Sequence, residues 1–334
     1  MGSARRYMVY GIGNGIVDQQ VKITDSELED LRLSKGFMEL AEQAEQGRIV
    51  AYLGNRESEL HAGGSAANTI VGIAQMGGAV VYTCSLAADD LGRHYAADFA
   101  RLGIPLTSTL KPTAQTGLCL VLVTPDGERT MKTYLGASAQ LSPEDIDAEM
   151  MAQSQWVYLE GYLLAGESTR AATFHALELA RQHGTKVAFS FSDGFLVANF
   201  GEHVQHIVTA YADLIFANEL EAAAYTGRRD PQASLERIVQ DCRNACVTCS
   251  ENGSYIHYGG ETCYVHAFAA PPVDLTGAGD MYAAGVLYGL ARHAAPERAA
   301  RLGSRAASYV VRQMGARLPG NLLETVQDIL GPES

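Results

Sequence analysis

Residues 63–84 read GGSAANTIVGIAQMGGAVVYTC and contain, in order, a glycine pair, an apolar helical pattern and a short apolar run. This stretch predicts a helix over Ser65–Met76 and a strand over Val80–Cys84. A predicted strand over Tyr7–Gly11 precedes it, and a predicted helix over Tyr95–Leu102 follows it. Strands that alternate with helices favour an open, mostly parallel sheet.

The same alternation continues along the rest of the chain. Further strands are predicted at Trp156–Glu160, Lys186–Ser190, Leu214–Ala217, Cys246–Ser250 and Tyr255–Tyr258. Further helices are predicted at Thr169–His183, Leu220–Thr226, Met281–Arg292 and Arg301–Met314. We therefore predict an α/β protein with a central, mostly parallel sheet and helices on both faces.

Two segments, from about residue 16 to 60 and from about 105 to 136, interrupt this alternation with period-two patterns and polar turns. The run TGLCLVLVT at 116–124, followed by Pro-Asp-Gly-Glu, predicts a β-hairpin. Because such segments cannot easily join the central sheet, we predict a small β subdomain that acts as a lid. The predicted lid comprises 16–61 and 105–136, and the predicted nucleotide- and substrate-binding core comprises 1–15, 62–104 and 137–334.

The composition is that of a globular protein, and its charge balance is acidic. The 334 residues are 47% hydrophobic and 19% charged, with 25 Lys and Arg against 38 Asp and Glu, a net charge of -13. This balance disfavours nucleic acids and anionic membranes, and no Lys/Arg-rich run compensates for it. No signal peptide or membrane-spanning stretch is recognisable. We expect a cytoplasmic monomer or homodimer that binds a small molecule.

The six cysteines show no framework spacing, although Cys246 and Cys249 form a CxxC pair. Residues three apart on a strand point to opposite faces, and a structural zinc site would need a second pair. We therefore expect buried free thiols at these positions.

A first glycine cluster, GIGNG at 11–15, follows the first predicted strand. A dinucleotide motif GxGxxG would need a third glycine at position 16, where the chain has Ile16. Asn14 and Asp18 nevertheless follow the C-terminal end of a strand, where open α/β sheets bind their ligands. They are either turn residues or substrate contacts.

A second cluster, Gly63-Gly64-Ser65, opens the helix that begins the quoted stretch. Small residues there let a ligand or another segment of backbone come close, while Ser65 has the alternative role of helix N-cap. Asn68, one turn further on, offers the donor and the acceptor that sugar hydroxyls require.

A third cluster, DLTGAGD at 274–280, precedes the apolar helix MYAAGVLYGL. Its glycines permit a turn whose backbone N–H groups converge at a helix N-terminus, which is an anion site. Asp280 is either a cap or a group that accepts a proton while charge develops on a transferred phosphoryl group.

A fourth motif, NELE at 218–221, lies at a strand-to-helix turn. Asn218 and Glu221 have the spacing of a capping box. The functional alternative is that Glu221 helps to hold a hydrated Mg²⁺.

Together, GGSAAN at 63–68, NELE at 218–221 and DLTGAGD at 274–280 resemble the ribokinase-like (PfkB) family of carbohydrate and nucleoside kinases. The resemblance covers nearly the whole chain in order and spacing. It implies an α/β core with a β lid, and ATP-dependent phosphoryl transfer to a hydroxyl with Mg²⁺.

On the donor side, the resemblance implies that Asp280 is the catalytic base and that Glu221 contacts Mg²⁺ through water. The implied anion hole consists of Gly277, Ala278 and Gly279. The implied ATP contacts are Asn218, Thr248, Ser250 and Gly253, although this family usually has Gly where Ser250 stands. Asp274 and Thr276 resemble part of a monovalent-cation site, which would hold K⁺.

On the acceptor side, Asn14 and Asp18 in GNGIVD resemble the adenosine kinase branch more than the ribokinase branch. The implied substrate contacts are Asn14, Asp18, Gly64, Ser65, Asn68, Arg129 and Tyr162. Arg129 resembles a lid arginine that reaches the transferring phosphate. Tyr162 is the one aromatic in a segment where adenosine kinases often show two.

The leading hypothesis is therefore phosphoryl transfer from ATP to the 5′-hydroxyl of adenosine or a related nucleoside. The alternative acceptor is a sugar, either ribose or a ketohexose. An alternative of another class is a catalytically silent protein that binds a nucleoside or nucleotide. A dehydrogenase is disfavoured by the incomplete GxGxxG motif.

Overall fold

Residues 5–108 and 110–330 are described by the structure, a computed structural model. The strands are β1 (Tyr7–Ile12), β2 (Ile16–Lys22), β3 (Met38–Leu40), β4 (Ser58–Ala62), β5 (Val80–Thr83), β6 (Leu86–Ala87), β7 (Leu110–Lys111), β8 (Gly117–Val123), β9 (Arg129–Tyr134), β10 (Ser154–Glu160), β11 (Lys186–Ser190), β12 (Leu214–Asn218), β13 (Ala245–Thr248), β14 (Ser254–Tyr258) and β15 (Glu261–Val265).

The helices alternate with these strands over most of the chain. They are α1 (Asp25–Leu31), α2 (Gln43–Leu53), α3 (Ser65–Gln75), α4 (Asp90–Arg101), α5 (Ala148–Ala152), α6 (Glu167–His183), α7 (Gly194–Asn199), α8 (Gly201–Ala210), α9 (Glu219–Thr226), α10 (Pro231–Asp241), α11 (Ala278–Ala291), α12 (Pro296–Val310) and α13 (Leu323–Leu330).

The central sheet has the order β15-β14-β13-β12-β11-β10-β1-β5. Every pair from β5 to β13 is parallel, whereas β13–β14 and β14–β15 are antiparallel. Consecutive residues of a strand face opposite sides, so Val9 belongs to the core under α3, α11 and α12, while Tyr10 belongs to the core on the other face. The prediction of an α/β fold with a mostly parallel sheet is confirmed.

A second sheet has the order β3-β9-β8-β2-β4. The predicted hairpin is present, because β8 and β9 pair antiparallel across the turn at 124–128. We call this five-stranded sheet the upper sheet. Its strands lie within 16–62 and 117–134, and the role of a lid remains our proposal for it.

The expectation of purely β structure over 16–60 is wrong, because α1 and α2 lie in this segment. The upper sheet has two faces, and its outer face is apolar and must be covered. Leu28 and Leu31 of α1 and Ile49 of α2 pack there against Leu120 of β8. The capping box between Thr24 and Glu27, visible as TDSE, was the sequence signal for α1.

Residues 105–108, 110 and 111 also differ from expectation. Leu106 bridges to Tyr82, and β7 pairs with β6, so this stretch lies against the core and not in the upper sheet. In addition, α11 begins at Ala278, which places Asp280 inside the first turn of the helix. No helix in the described ranges is both long enough and apolar enough to cross a membrane.

Candidate active site

Asp280 is held by the first turn of a neighbouring helix. Its Oδ1 accepts a hydrogen bond from Ser65 Oγ at 2.6 Å, and its Oδ2 accepts one from Asn68 Nδ2 at 2.9 Å. Gly277 makes the turn before α11 with φ +79°, and a Cβ there would come within 2.7 Å of Ala316. Glycine is therefore required where the chain turns into the helix that carries Asp280.

Burial raises the pKa of Asp280 to about 6. The hydrogen bonds from Ser65 and Asn68 and the positive charge of Arg317 lower it, but not enough to cancel the cost of desolvation. A carboxyl with this pKa is mostly ionised at neutral pH and still basic enough to take a proton from a reacting hydroxyl.

Glu160, at the end of β10, joins the first two glycine clusters. Its Oε1 accepts from the backbone N and from Nδ2 of Asn14, at 2.8 and 2.6 Å, and its Oε2 accepts from the backbone N of Ala66 at 2.6 Å. Burial raises its pKa to about 7, against those hydrogen bonds. The sequence analysis missed Glu160. The available signal was an acidic residue at the end of an apolar strand, since such residues are almost never fully buried without partners.

Asn14, Gly64 and Tyr162, predicted as substrate contacts, are bound to other parts of the protein. Asn14 Oδ1 accepts from Ser138 Oγ at 2.8 Å, and the Tyr162 hydroxyl donates to the carbonyl of Ser192 at 3.3 Å. Gly64 has φ +100°, and a Cβ there would collide with the carbonyl oxygen of Asn14. These residues hold β1, β10 and α3 together at the floor of the site.

A cavity of about 500 Å³ lies between the upper sheet and the core. Three of the residues predicted as acceptor contacts line it, namely Asp18 of β2, Asn68 of α3 and Arg129 of β9. Its apolar wall includes Val71, Leu102, Cys119, Val121, Met131 and Leu318. Three residues far apart in the sequence therefore meet at one cavity.

Asp18 faces this cavity with a pKa that burial raises to about 6. The positive charges of Arg317, His61 and Arg129 act in the opposite direction. A Cβ at Gly63 would lie 2.5 Å from Asp18 Oδ2, so the first glycine of the GG pair is what admits this carboxylate.

Arg129 is bound to the loop that precedes α11. Its Nη1 lies 2.6 Å from Asp274 Oδ2 and donates to Thr276 Oγ1 at 3.2 Å. Asp274 also accepts from the backbone and hydroxyl of Thr276 and from the backbone N of Gly315. A monovalent cation at Asp274 would have to displace Arg129 from this carboxylate.

Asn218 and Glu221 form the capping box at the start of α9. Asn218 Oδ1 accepts from the backbone N of Glu221 at 2.8 Å, and Glu221 Oε2 accepts from the backbone N of Asn218 at 3.0 Å. Burial raises the pKa of Glu221 to about 7. Over the described part of the chain, no group of three or more His, Cys, Asp and Glu side chains is placed to hold a metal ion.

The nucleotide segment after β13 turns sharply. Ser250, where the family usually has glycine, adopts φ +49°, and Gly253 adopts φ +97°. A Cβ at Gly253 would collide with the carbonyl oxygen of Val265. Thr248 ends β13 and pairs with Ser254 of β14. Three of the four predicted ATP residues, Thr248, Ser250 and Gly253, thus lie in or beside one tight turn at the end of a central strand.

Arg317 is a further residue that the sequence analysis missed. Its Nε donates to Asn68 Oδ1 at 2.9 Å, and its Nη1 donates to Asp98 Oδ2 at 2.9 Å. It lies in a loop near the C-terminus that carries no recognisable motif. Only the folded chain brings it to the site.

An α/β core, an upper sheet across a cavity and a buried carboxyl at a helix start define an enzyme that acts on a small molecule. The chain belongs to the pfkB family of carbohydrate kinases, whose model matches residues 51–322. The adenosine kinase of Sinorhizobium meliloti superposes with a TM-score of 0.88 at 35% identity, over 97% of this chain and 99% of that one.

Two further relatives show how the acceptor varies. The probable sugar kinase of Rhizobium etli CFN 42 also gives a TM-score of 0.88 at 35% identity, over 97% of this chain and 98% of that one. The fructokinase of Klebsiella pneumoniae is 29% identical over 249 residues, 72% of this chain and 80% of that protein. The protein is therefore a small-molecule kinase of a family that implies ATP and usually Mg²⁺.

Proposed function

We propose that the protein transfers the γ-phosphoryl group of ATP to the 5′-hydroxyl of adenosine or a closely related nucleoside. The cavity carries this proposal. Asp18, Asn68 and the charged side chains of Asp98, Arg129 and Arg317 line it together with an apolar wall that includes Val71, Val121 and Met131. A nucleoside has a matching division into a polar ribose and a flat, largely apolar base, whereas a hexose presents hydroxyls all round.

In the proposed reaction, Asp280 takes the proton of the acceptor hydroxyl as its oxygen attacks the γ-phosphorus. A new O–P bond forms, the bond from the γ-phosphorus to the bridging oxygen breaks, and ADP leaves. The start of α11, with Gly277, Ala278 and Gly279, stabilises the charge on the transferring group through its N–H groups and the helix dipole. ATP-bound Mg²⁺ supplies further positive charge, and Glu221 contacts it through water.

Asp18 recognises the sugar of the acceptor. A carboxylate accepts from two neighbouring hydroxyls at once, and hydrogen bonds to a charged group contribute about 1.5–3 kcal/mol. The nucleobase of the acceptor lies against the aliphatic and sulfur-containing side chains of the apolar wall. Met131 provides a sulfur there for contact with an aromatic ring.

The second candidate acceptor is ribose or a ketohexose such as fructose. The relation to the Klebsiella pneumoniae fructokinase supports it. A catalytically silent binding protein is the third possibility. The presence of Asp280 with two hydrogen-bond donors argues against a silent protein, because loss of the catalytic base is the simplest route to an inactive kinase.

The proposal is tested by ADP release with adenosine, inosine, ribose or fructose as acceptor, for wild type and for Asp280→Asn. We expect turnover with a purine nucleoside, weaker or no turnover with the free sugars, and loss of both in the variant. Higher kcat/KM with fructose or ribose would overturn the nucleoside assignment. If nucleosides raise the unfolding temperature but no acceptor releases ADP, the protein is a binding protein.

The same assay in K⁺ and in Na⁺ tests the cation site at Asp274 and Thr276. Equal rates in both salts at equal ionic strength would remove K⁺ from the proposal.

A further inference from the structure

Arg317 lies in the segment between α12 and α13, outside every motif that marks this family in the sequence. Three contacts fix its backbone and its neighbours. Gln313 Nε2 donates to the carbonyl of Arg317 at 2.6 Å, Gln75 Nε2 donates to the carbonyl of Leu318 at 2.6 Å, and the backbone N of Gly315 donates to Asp274. The segment is thereby tied to α3 and to the loop that precedes α11.

The guanidinium group of Arg317 is equally constrained. Its Nη1 bonds Asp98 of α4, its central carbon lies 5.5 Å from the ring centre of Phe99, and its Nε bonds Asn68 Oδ1. Its Nη2 is buried without a hydrogen-bond partner.

These contacts determine which way the Asn68 amide points. An amide group has one acceptor end and one donor end, whereas a guanidinium group only donates. Facing Arg317, Asn68 must present its Oδ1, and its Nδ2 is then turned toward Asp280 Oδ2. In the flipped orientation two donors would meet at Arg317, and two acceptors would meet at Asp280.

We propose that Arg317 is a positioning residue for phosphoryl transfer, which fixes the Asn68 amide so that it donates to Asp280 and which places a positive charge beside the carboxyl groups of the site. Arg317 acts through Asn68 and through its charge. The proposal rests on the function proposed above, in which Asp280 is the base.

The charges around Asp280 explain why a cation is needed there. Three other carboxyl groups interact unfavourably with it, namely Asp18, Glu160 and Glu221. The hydroxyls of Tyr158 and Tyr162 also face this group of carboxyls. Arg317 is the cation that lowers the pKa of Asp280, and among the cations near Asp18 it has the largest effect, ahead of His61 and Arg129.

The test compares Arg317→Gln, Arg317→Lys and a control, Arg93→Gln. Arg93 pairs with Asp90 on the surface of α4, its side chain is 66% exposed, and it does not line the cavity. We expect Arg317→Gln to lower kcat at pH 7 by at least tenfold and to move the acidic limb of the pH–rate profile to higher pH, because a positive charge near Asp280 is lost. Arg93→Gln should change kcat by less than about twofold.

Arg317→Lys separates the two parts of the proposal. It keeps the positive charge, so the acidic limb should stay near that of wild type, but it loses the planar group that fixes the amide, so kcat should still fall. Arg317→Lys also tests the proposal if Arg317→Gln does not fold. The proposal would be overturned if a folded Arg317→Gln protein kept the acidic limb of wild type and if the loss of thermal stability alone accounted for its lower kcat.

A second measurement does not depend on turnover. Carboxyl-carbon NMR of protein labelled at aspartate, with Asp280→Asn to assign the signal, gives the pKa of Asp280 in each variant. A higher pKa of Asp280 in Arg317→Gln than in wild type and Arg93→Gln supports the inference, and equal values contradict it. If no acceptor is phosphorylated by wild type, the proposed function fails, while this titration still decides what Arg317 does to Asp280.

Discussion

The side chain of Asp280 shows how one residue is prepared for proton transfer. Burial makes its ionised form costly, and hydrogen bonds from Ser65 and Asn68 recover part of that cost. The result is a carboxyl whose pKa of about 6 lies nearer to neutral pH than the pKa of an exposed aspartate does.

We predict that Asp280→Asn lowers kcat by about 10²–10⁴-fold, the usual contribution of a positioned general base. The amide keeps the shape of the side chain, so the affinity for ATP, measured by calorimetry, should change little. For wild type, kcat should fall as the pH drops through about 6, because protonated Asp280 cannot accept a proton. Full activity of the variant would show that another group is the base.

Asp18→Ala should raise the KM of the acceptor by one to two orders of magnitude and leave the KM of ATP nearly unchanged. The physical reason is the loss of hydrogen bonds from sugar hydroxyls to a charged acceptor, worth about 1.5–3 kcal/mol. Steady-state kinetics with ribo- and 2′-deoxy-nucleosides makes the check. The two acceptors should differ in wild type and become similar in the variant.

Asp90→Ala is a matched control for this experiment, because Asp90 is an exposed carboxylate paired with Arg93 on the surface of α4. It should leave both KM values unchanged. A variant at Asp18 that keeps the wild-type ratio between ribo- and deoxy-acceptors would show that Asp18 does not contact the sugar.

Where the elements meet, the start of α3 is pressed against the turn that follows β1. Gly64 is the point of contact, because its φ of +100° and the adjacent carbonyl of Asn14 leave no room for a side chain. Ser65 and Asn68, which hold Asp280, follow directly in α3. The position of this helix therefore sets the position of the base.

Gly64→Ala is expected to destabilise the protein by more than the roughly 1–2 kcal/mol that a left-handed backbone alone costs a non-glycine residue, because a steric clash is added. Gly227→Ala is the control, since Gly227 ends α9 at φ +72° with no atom within 4 Å of an added Cβ. The thermal unfolding temperature and kcat should both be lower in Gly64→Ala than in Gly227→Ala. Equal losses in the two variants would mean that the contact with Asn14 is unimportant.

For single helices and strands, the sequence prediction depended on hydrophobic periodicity and on helix-capping residues. The strand Lys186–Ser190 is found as predicted, and the helix predicted over Ser65–Met76 ends one residue earlier. By contrast, α1 and α2 were missed, because their apolar residues could be placed only once the outer face of the upper sheet was known to need a cover. The start of α4 was also predicted five residues late, since Asp89 gives the only local cue there.

Over the whole molecule, four carboxyls share one region and all have raised pKa values: about 6 for the half-buried Asp18 and Asp280, and about 7 for the buried Glu160 and Glu221. Burial is the largest cause for each of them. The ordinary values are 3.8 for aspartate and 4.5 for glutamate. Between about pH 5 and 7 the folded protein therefore binds more protons than the unfolded chain does.

The unfolding free energy of the ligand-free protein should consequently fall as the pH rises from about 5.5 to 7.5, since a raised pKa stabilises the fold at low pH and that contribution is lost above the folded-state pKa. Urea unfolding at several pH values measures it. Carboxylates with lowered pKa, such as Glu27 at about 2, act in the opposite direction only at much lower pH.

Two controls separate this effect from the net charge of -13. High salt screens the surface repulsion that also grows with pH, but it leaves the buried groups largely unaffected. Glu160→Gln removes one of the titrating groups and should make the pH dependence shallower. A stability that is constant or rises over this pH range would contradict the pKa shifts.

The sequence by itself determined the α/β class, the mostly parallel sheet, the kinase family and the identity of the base candidate, Asp280. These depend on local periodicity, on glycine-rich turns and on motifs of adjacent residues, all of which are visible in one dimension. Fixed spacing within GGSAAN and DLTGAGD was enough to predict that two helix starts border the site.

The tertiary structure alone decided what surrounds those motifs. Glu160 meets Asn14 across 146 positions, and Arg317 meets Asn68 across 249, so no local pattern connects them. In the folded protein, Asn14 also donates a hydrogen bond to Glu160, and Arg129 pairs with Asp274. Hydrogen-bond partners and raised pKa values arise from burial among distant segments, and burial is a property of the packed chain.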